Sequence, residues 1–154
     1  MDLQKLKDLL EGAGEESVPA TVDELPARFY DRFIMHGIHV DLIEPGRVLC
    51  SLRVPPRFLN TGNFLHGGAT ASLIDLVGSA AIFTVGAPTS GVSLEINVSY
   101  LDAAFLDEEI EIEAKVLRVG RAVGVVSVEL RKKKTGKIIA QGRHTKYLAA
   151  SSKL

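Results

Sequence analysis

Residues 66–86 read HGGATASLIDLVGSAAIFTVG, the longest continuous apolar stretch of the 154-residue chain. It is too long for one strand and reads as a helix, closed by Gly86-Ala87-Pro88. Ala71, Leu73, Ile74, Leu76, Val77, Ala80, Ile82 and Phe83 point in all directions around it. A helix apolar on every side is expected to be buried. Between Arg57 and Glu95, Asp75 is the sole residue with a full charge. Desolvating an isolated carboxylate costs several kcal/mol, so something must offset it. Asp75 therefore reads as a general base or nucleophile. The alternative is a carboxylate that reaches solvent or an N–H group at a subunit edge.

His66-Gly67-Gly68 opens this helix. Gly67 lets a ligand approach the backbone closely. Free N–H groups at a helix N-terminus suit the oxyanion of an acyl-transfer intermediate; equally, the glycines can serve a tight turn. Gly67 and Asp75 are eight residues apart, about 12 Å along one helix at ~1.5 Å per residue. Both cannot contact one carbonyl within one subunit. If both serve one site, two chains must share it.

Around this helix the period is two. Strands are expected at 39–43 and 48–54, with a turn at Glu44-Pro45-Gly46 between them. Four more follow at 91–101, 109–119, 122–132 and 138–148. In the first, Val92, Leu94, Ile96, Val98 and Tyr100 alternate with Ser93, Glu95, Asn97 and Ser99, which puts Ser93 on the polar face. In the third, Val126, Val128 and Leu130 share a face. Hairpin-length connections imply an antiparallel sheet. The fold expected is α+β: about six antiparallel strands around one long helix. One such sheet cannot cover the helix on all sides, so a second subunit is expected to cover the rest. Ahead of this unit, 1–37 reads as an extension: a short helix at 2–10 carrying Leu3, Leu6, Leu9 and Leu10, an acidic linker at 15–24, and a second short helix at 25–36. The main domain is 38–148, and 149–154 is a small polar tail.

Composition narrows the class. Hydrophobic residues are 46 % and charged residues 24 %, with net charge −1, which is the profile of a soluble single domain. No basic field points to nucleic acid. Cys50 alone excludes an internal disulfide and a CxxC motif, and with no histidine partner it reads as core. His36, His39 and His144 show no metal-ligand spacing. No apolar run is read as approaching the roughly 18 residues of a membrane span, and no signal peptide is expected. Asn60 and Asn63 in the loop before the helix, and Ser93, offer groups that orient water; loop capping and ordinary sheet polarity explain them as well. Lys132-Lys133-Lys134 reads as a solvated strand end or, with Arg118 and Arg121, as a hold for a phosphorylated ligand.

At Asn60…His66-Gly67-Gly68…Asp75 the sequence resembles the hotdog-fold acyl-CoA thioesterases, above all their small mammalian branch and more distantly the phenylacetate-pathway thioesterases of bacteria. The resemblance runs from about 38 to 148. It includes LHGGATASLID (65–75), GVSLEINVSYL (91–101) and TGKIIAQGRHTKYL (135–148). It implies hydrolysis of acyl-CoA by a homodimer that assembles into a homotetramer. No cofactor or metal is implied, since coenzyme A is part of the substrate. It further implies that the Gly67 N–H polarises the thioester carbonyl, that Asp75 is the catalytic carboxylate contributed across the dimer, and that Asn60 lies near the thioester and its water. Ser93 would position the water, and His66 would support the loop and Asn60. Tyr100, Tyr147 and the turn Arg118, Val119, Gly120, Arg121, Ala122 and Val123 would hold the coenzyme A moiety. The extension 1–37 departs from the family pattern.

Two rival readings keep the same fold: an enoyl-CoA hydratase or dehydratase, and a non-catalytic acyl-CoA-binding protein. The isolated charge of Asp75 argues against the latter. The sequence ends Ser152-Lys153-Leu154, a tripeptide read by the peroxisomal import receptor, so the expected location is the peroxisome.

Overall fold

The computed structural model describes residues 2–12, 25–89 and 91–148. The expected linker at 15–24 and the tail carrying Ser152-Lys153-Leu154 lie outside them. The elements run α1 (Leu3–Gly12), α2 (Phe29–Met35), β1 (His39–Glu44), β2 (Arg47–Arg53), a single 3-10 turn at Pro56–Phe58, α3 (Gly67–Thr84), β3 (Val92–Tyr100), β4 (Glu109–Val119), β5 (Val123–Lys132) and β6 (Ile138–Tyr147). The six strands form one antiparallel sheet in the order β1-β2-β4-β5-β6-β3. This is the expected hotdog fold, one long helix held in the curl of the sheet.

Local chemistry sets the hairpins. Glu44 pairs with Arg47 across Pro45-Gly46. Proline presets φ for the first corner and Gly46, at φ +82, supplies the left-handed second. In the middle strands alternation holds: Val48, Cys50 and Leu52 on β2, Ile110, Ile112 and Ala114 on β4, and Val126, Val128 and Leu130 on β5 are all buried against α3. Burial pushes the Cys50 thiol up to about 12, which makes it an inert core residue. α1 docks as a short helix must. Its Leu6 and Leu10 are buried, and Glu11 Oε1 accepts the Val40 N–H at 3.2 Å on the edge strand β1.

One expectation about α3 is corrected and one holds. By length and composition it equals a membrane span, with 18 residues at mean hydropathy 1.3, yet 56 % of it is buried inside the molecule. As expected, the one sheet does not cover it all round. Leu73, Ile74, Val77, Ala80 and Ala81 face the sheet, whereas Ser72, Asp75, Leu76, Ser79 and Phe83 are only half-buried. Within one chain the sheet reaches one side of the helix, and α2 adds a contact at its first turns through Tyr30 Oη and Ser72 Oγ, 2.6 Å apart.

A second correction concerns β3. Ser93 registers with Lys146 but Glu95 with Thr145, so Leu94 is an extra residue in a bulge. The bulge reverses the face of every residue before it. Ser93 thereby joins Ile96 and Val98 on the inner face instead of Glu95, Asn97 and Ser99 on the outer one, and Leu94 is left 59 % exposed.

Candidate active site

The loop before α3 is held by its own polar atoms. Asn60 Oδ1 accepts the N–H groups of Gly62 at 2.9 Å and Phe64 at 3.3 Å. Asn63, at φ 61, turns the chain and donates its N–H to the Asn60 carbonyl. Its side chain is exposed on the loop. The His66 backbone N–H donates to Phe58, and its Nδ1 accepts the Gly68 N–H at 2.8 Å, capping α3. The ring proton therefore sits on Nε2. His66 thus steadies the helix start; among the described residues no hydrogen bond joins it to Asn60.

Gly67 is the first residue of α3, so its N–H has no acceptor within the helix. The Tyr100 ring packs directly over it: a Cβ at Gly67 would lie 3.3 Å from Cε1, and Tyr100 Oη donates to the Gly67 carbonyl at 3.0 Å. Beside them opens a cavity of about 320 Å³ lined by Asn60, Phe64, Gly67, Thr70, Tyr100 and Ile139.

Two turns along α3 lies a separate polar cluster. Asp75 Oδ1 is 3.4 Å from Ser79 Oγ and 3.5 Å from His144 Nε2. His144 Nε2 is also 2.8 Å from Ser93 Oγ. Lys146 Nζ lies 2.5 Å from Ser79 Oγ. His144 is fully buried and Lys146 nearly so, both on the inner face of β6. The other ring nitrogen of His144, Nδ1, has no partner among the described residues. It faces Gly78, where a Cβ would lie 3.4 Å away; a glycine in mid-helix makes that approach possible. Burying a bare lone pair costs less than burying an unpaired N–H, so the proton sits on Nε2 and points at Ser93 and Asp75. Burial lowers the His144 pKa, partly opposed by Asp75 and reinforced by Lys146, and keeps the ring neutral at neutral pH.

Asp75 is therefore not the isolated buried charge read from the sequence. Its side chain is 43 % exposed on the open side of α3, and its partners lie in its own chain. Both polar contacts fall on Oδ1, which leaves Oδ2 without a partner among the described residues. Sequence reasoning missed His144 and Lys146. A signal was present: the Thr135-Gly136-Lys137 turn sets them opposite Val126 and Gly124 on the apolar side of β5.

Asn60, Gly67, His66 and Tyr100 thus gather at one end of α3, and Asp75 and Ser93 gather further along it. The expected coenzyme A region divides. Tyr147 pairs with Val123 beside the turn that holds Arg118, Val119, Gly120, Arg121 and Ala122, at the far end of β3 from Tyr100. At ~3.3 Å per residue that separation is about 25 Å. The phosphate hold drawn from Lys132-Lys133-Lys134 with Arg118 and Arg121 does not form, because the groups sit at opposite ends of β5. Lys132 and Lys133 are instead engaged by Glu108 and Glu109. Among the described residues no three His, Cys, Asp or Glu side chains gather as a metal site would need.

Comparison with known proteins follows the same lines. The sequence profile of the thioesterase superfamily matches residues 62–139. Human acyl-coenzyme A thioesterase 13 is 40 % identical over 122 residues, 79 % of this chain and 86 % of that protein. The crystal structure of zebrafish thioesterase superfamily member 2 matches with a TM-score of 0.83 at 34 % identity, covering 97 % of this chain and 99 % of the other. The mouse member 2 structure matches with a TM-score of 0.79 at 31 % identity, covering 97 % and 100 %.

Proposed function

The chain belongs to the thioesterase superfamily and is a thioester hydrolase, and on that premise we propose that it hydrolyses acyl-CoA to the free acid and coenzyme A with Asp75 as general base. The observation that carries this reading is the Asp75 carboxylate itself. One oxygen is engaged by its own chain, and the other is free on the uncovered side of α3. Oδ2 takes a proton from water, and the hydroxide adds to the thioester carbonyl. Ser93, held by His144, lies where it can orient that water. The oxyanion is received by the Gly67 N–H, an unpaired donor at a helix N-terminus. The tetrahedral intermediate then collapses, the C–S bond breaks, and the proton passes to the departing thiolate.

Gly67 and Asp75 of one chain stand about 12 Å apart, given ~1.5 Å per residue along the helix. One thioester therefore meets Asp75 of one chain and Gly67 of the partner subunit. This calls for a homodimer, and the family resemblance adds the pairing of dimers into a homotetramer. The open face of α3 and the free edge β3, where Val92, Leu94 and Tyr100 are exposed, are the surfaces available to a second copy.

Thiol release from saturated acyl-CoA esters tests the reaction. A hydratase has no double bond to act on in such substrates, and a binding protein releases no thiol. Release that disappears in Asp75→Asn supports the reading; no release from any chain length removes it.

A further inference from the structure

The mechanism above uses Asp75 but leaves unexplained the nearly buried lysine beside it. Lys146 is 4 % exposed, and moving an ammonium out of water costs several kcal/mol unless it is paired. Elsewhere in this molecule lysines pair directly, as Lys133 does with Glu109 at 2.7 Å and Lys137 with Asp102 at 2.9 Å. Lys146 instead meets a hydroxyl, with Nζ 2.5 Å from Ser79 Oγ. An ammonium has only donors, so the Ser79 oxygen must accept and its own proton must point elsewhere. The acceptor within reach is Asp75 Oδ1 at 3.4 Å, one helical turn back. The chain of donors thus runs one way, from ammonium to hydroxyl to carboxylate.

We propose that Lys146, acting through Ser79, is a positioning residue for the reaction: it is the buried positive charge that ties down Asp75 Oδ1 so that Oδ2 meets water. The proposal rests on the reading of Asp75 as general base. The surroundings offer no other source for that charge. Beside Lys146 on the sheet, Gly124 of β5 and Ser93 of β3 carry none, and His144, the remaining titratable group on Asp75, is held neutral by burial. Burial lowers the Lys146 pKa and Asp75 opposes the fall, as two charges that sustain each other require.

The test is steady-state kinetics of the full chain for wild type, Lys146→Met, Lys146→Arg and Ser79→Ala, with a melting curve on each sample. Methionine fills the space without a charge, and such replacements of buried ions are often tolerated. In folded Lys146→Met kcat is expected to fall about tenfold or more with KM within about twofold, the signature of a misplaced catalytic group. Ser79→Ala lowers kcat the same way by less, and Lys146→Arg, which keeps the charge, recovers part of the loss. A folded Lys146→Met enzyme with unchanged kcat, or one whose loss is all in KM, overturns the proposal. Should that variant not fold, Ser79→Ala decides by the same rule. A fully active Asp75→Asn enzyme marks instead the failure of the parent reading, and with it of the positioning role.

Discussion

The two faces of the sheet carry charge in opposite ways. On the outer face Glu113 is 7 % exposed, with Arg47 at 2.6 Å and Arg131 at 2.7 Å, and Arg131 also reaches Glu111 at 2.8 Å. Burial opposes the ionisation of Glu113, but the two guanidiniums outweigh it and hold the carboxyl down at about 2. Within this cluster each of the four charges has a direct, short partner. On the inner face the charges of Asp75 and Lys146 are kept apart by Ser79, a histidine nitrogen has no partner, and a carboxylate oxygen is free. A closed network has spent its hydrogen-bonding capacity on holding strands together. An open one keeps capacity for a ligand. On the proposed mechanism the outer network serves stability and the inner one serves chemistry.

The comparison is sharpest at its two carboxylates. Asp75→Asn is expected to cut kcat by about a hundredfold or more, the scale of general acid–base catalysis, with the fold retained and a lower thermal midpoint because Lys146 loses its counterion. Steady-state kinetics and a melting curve on the same sample check it. A fall in Tm with kcat preserved would make the inner cluster structural and erase the distinction.

Arg131→Ala should do the reverse. It takes Glu111's guanidinium away and leaves Glu113 to Arg47 and Lys115, and breaking a partly buried pair from one side costs about 2–3 kcal/mol. Denaturant unfolding reads that loss, and kcat per folded molecule stays within about twofold. The Glu113 contribution also has a pH signature. Its folded pKa lies below the unfolded value, so its stabilisation is present above 4.5 and is lost as pH falls from 4.5 toward about 2.

His144 gives the smallest effect and the finest distinction. Its pKa is also lowered, but by burial of a base, so the unfolded chain takes up the proton first. Stability is full above about 6.5, the ordinary histidine value, and declines as pH falls below it. His144→Asn is expected to flatten the melting temperature between pH 6.5 and 5, whereas Arg131→Ala leaves that slope in place. An unchanged slope in the His144 variant would mean the ring is not held neutral.

The sequence made one half of this contrast legible. Alternation on β2, β4 and β5 is regular because those strands pack wholly against α3, and the lone charge of Asp75 stands out in an apolar helix. The rest was hidden for physical reasons. The inner face of β6 carries Ala140, Gly142, His144 and Lys146, and its outer face carries Gln141, Arg143, Thr145 and Tyr147. Neither face is apolar, so period two cannot say which one is buried. The bulge at Leu94 added a residue that composition does not announce, and Ser93 changed face with it. Asp75 was misjudged as desolvated because a helix apolar all round does not show which of its sides the sheet leaves open.

The central claim is that Asp75 and Gly67 act on one thioester from two chains. Gly67→Pro deletes the Gly67 N–H at the first helical position, where proline is well tolerated. Gly67→Pro and Asp75→Asn proteins are each expected to be nearly inactive. Denatured together in equal amounts and refolded, half of the dimers are mixed and each mixed dimer has one intact site, so thiol release should return to roughly a quarter of wild type by random pairing. Mixed dimers, demonstrated by mass spectrometry, that remain as inactive as their parents would contradict the shared site.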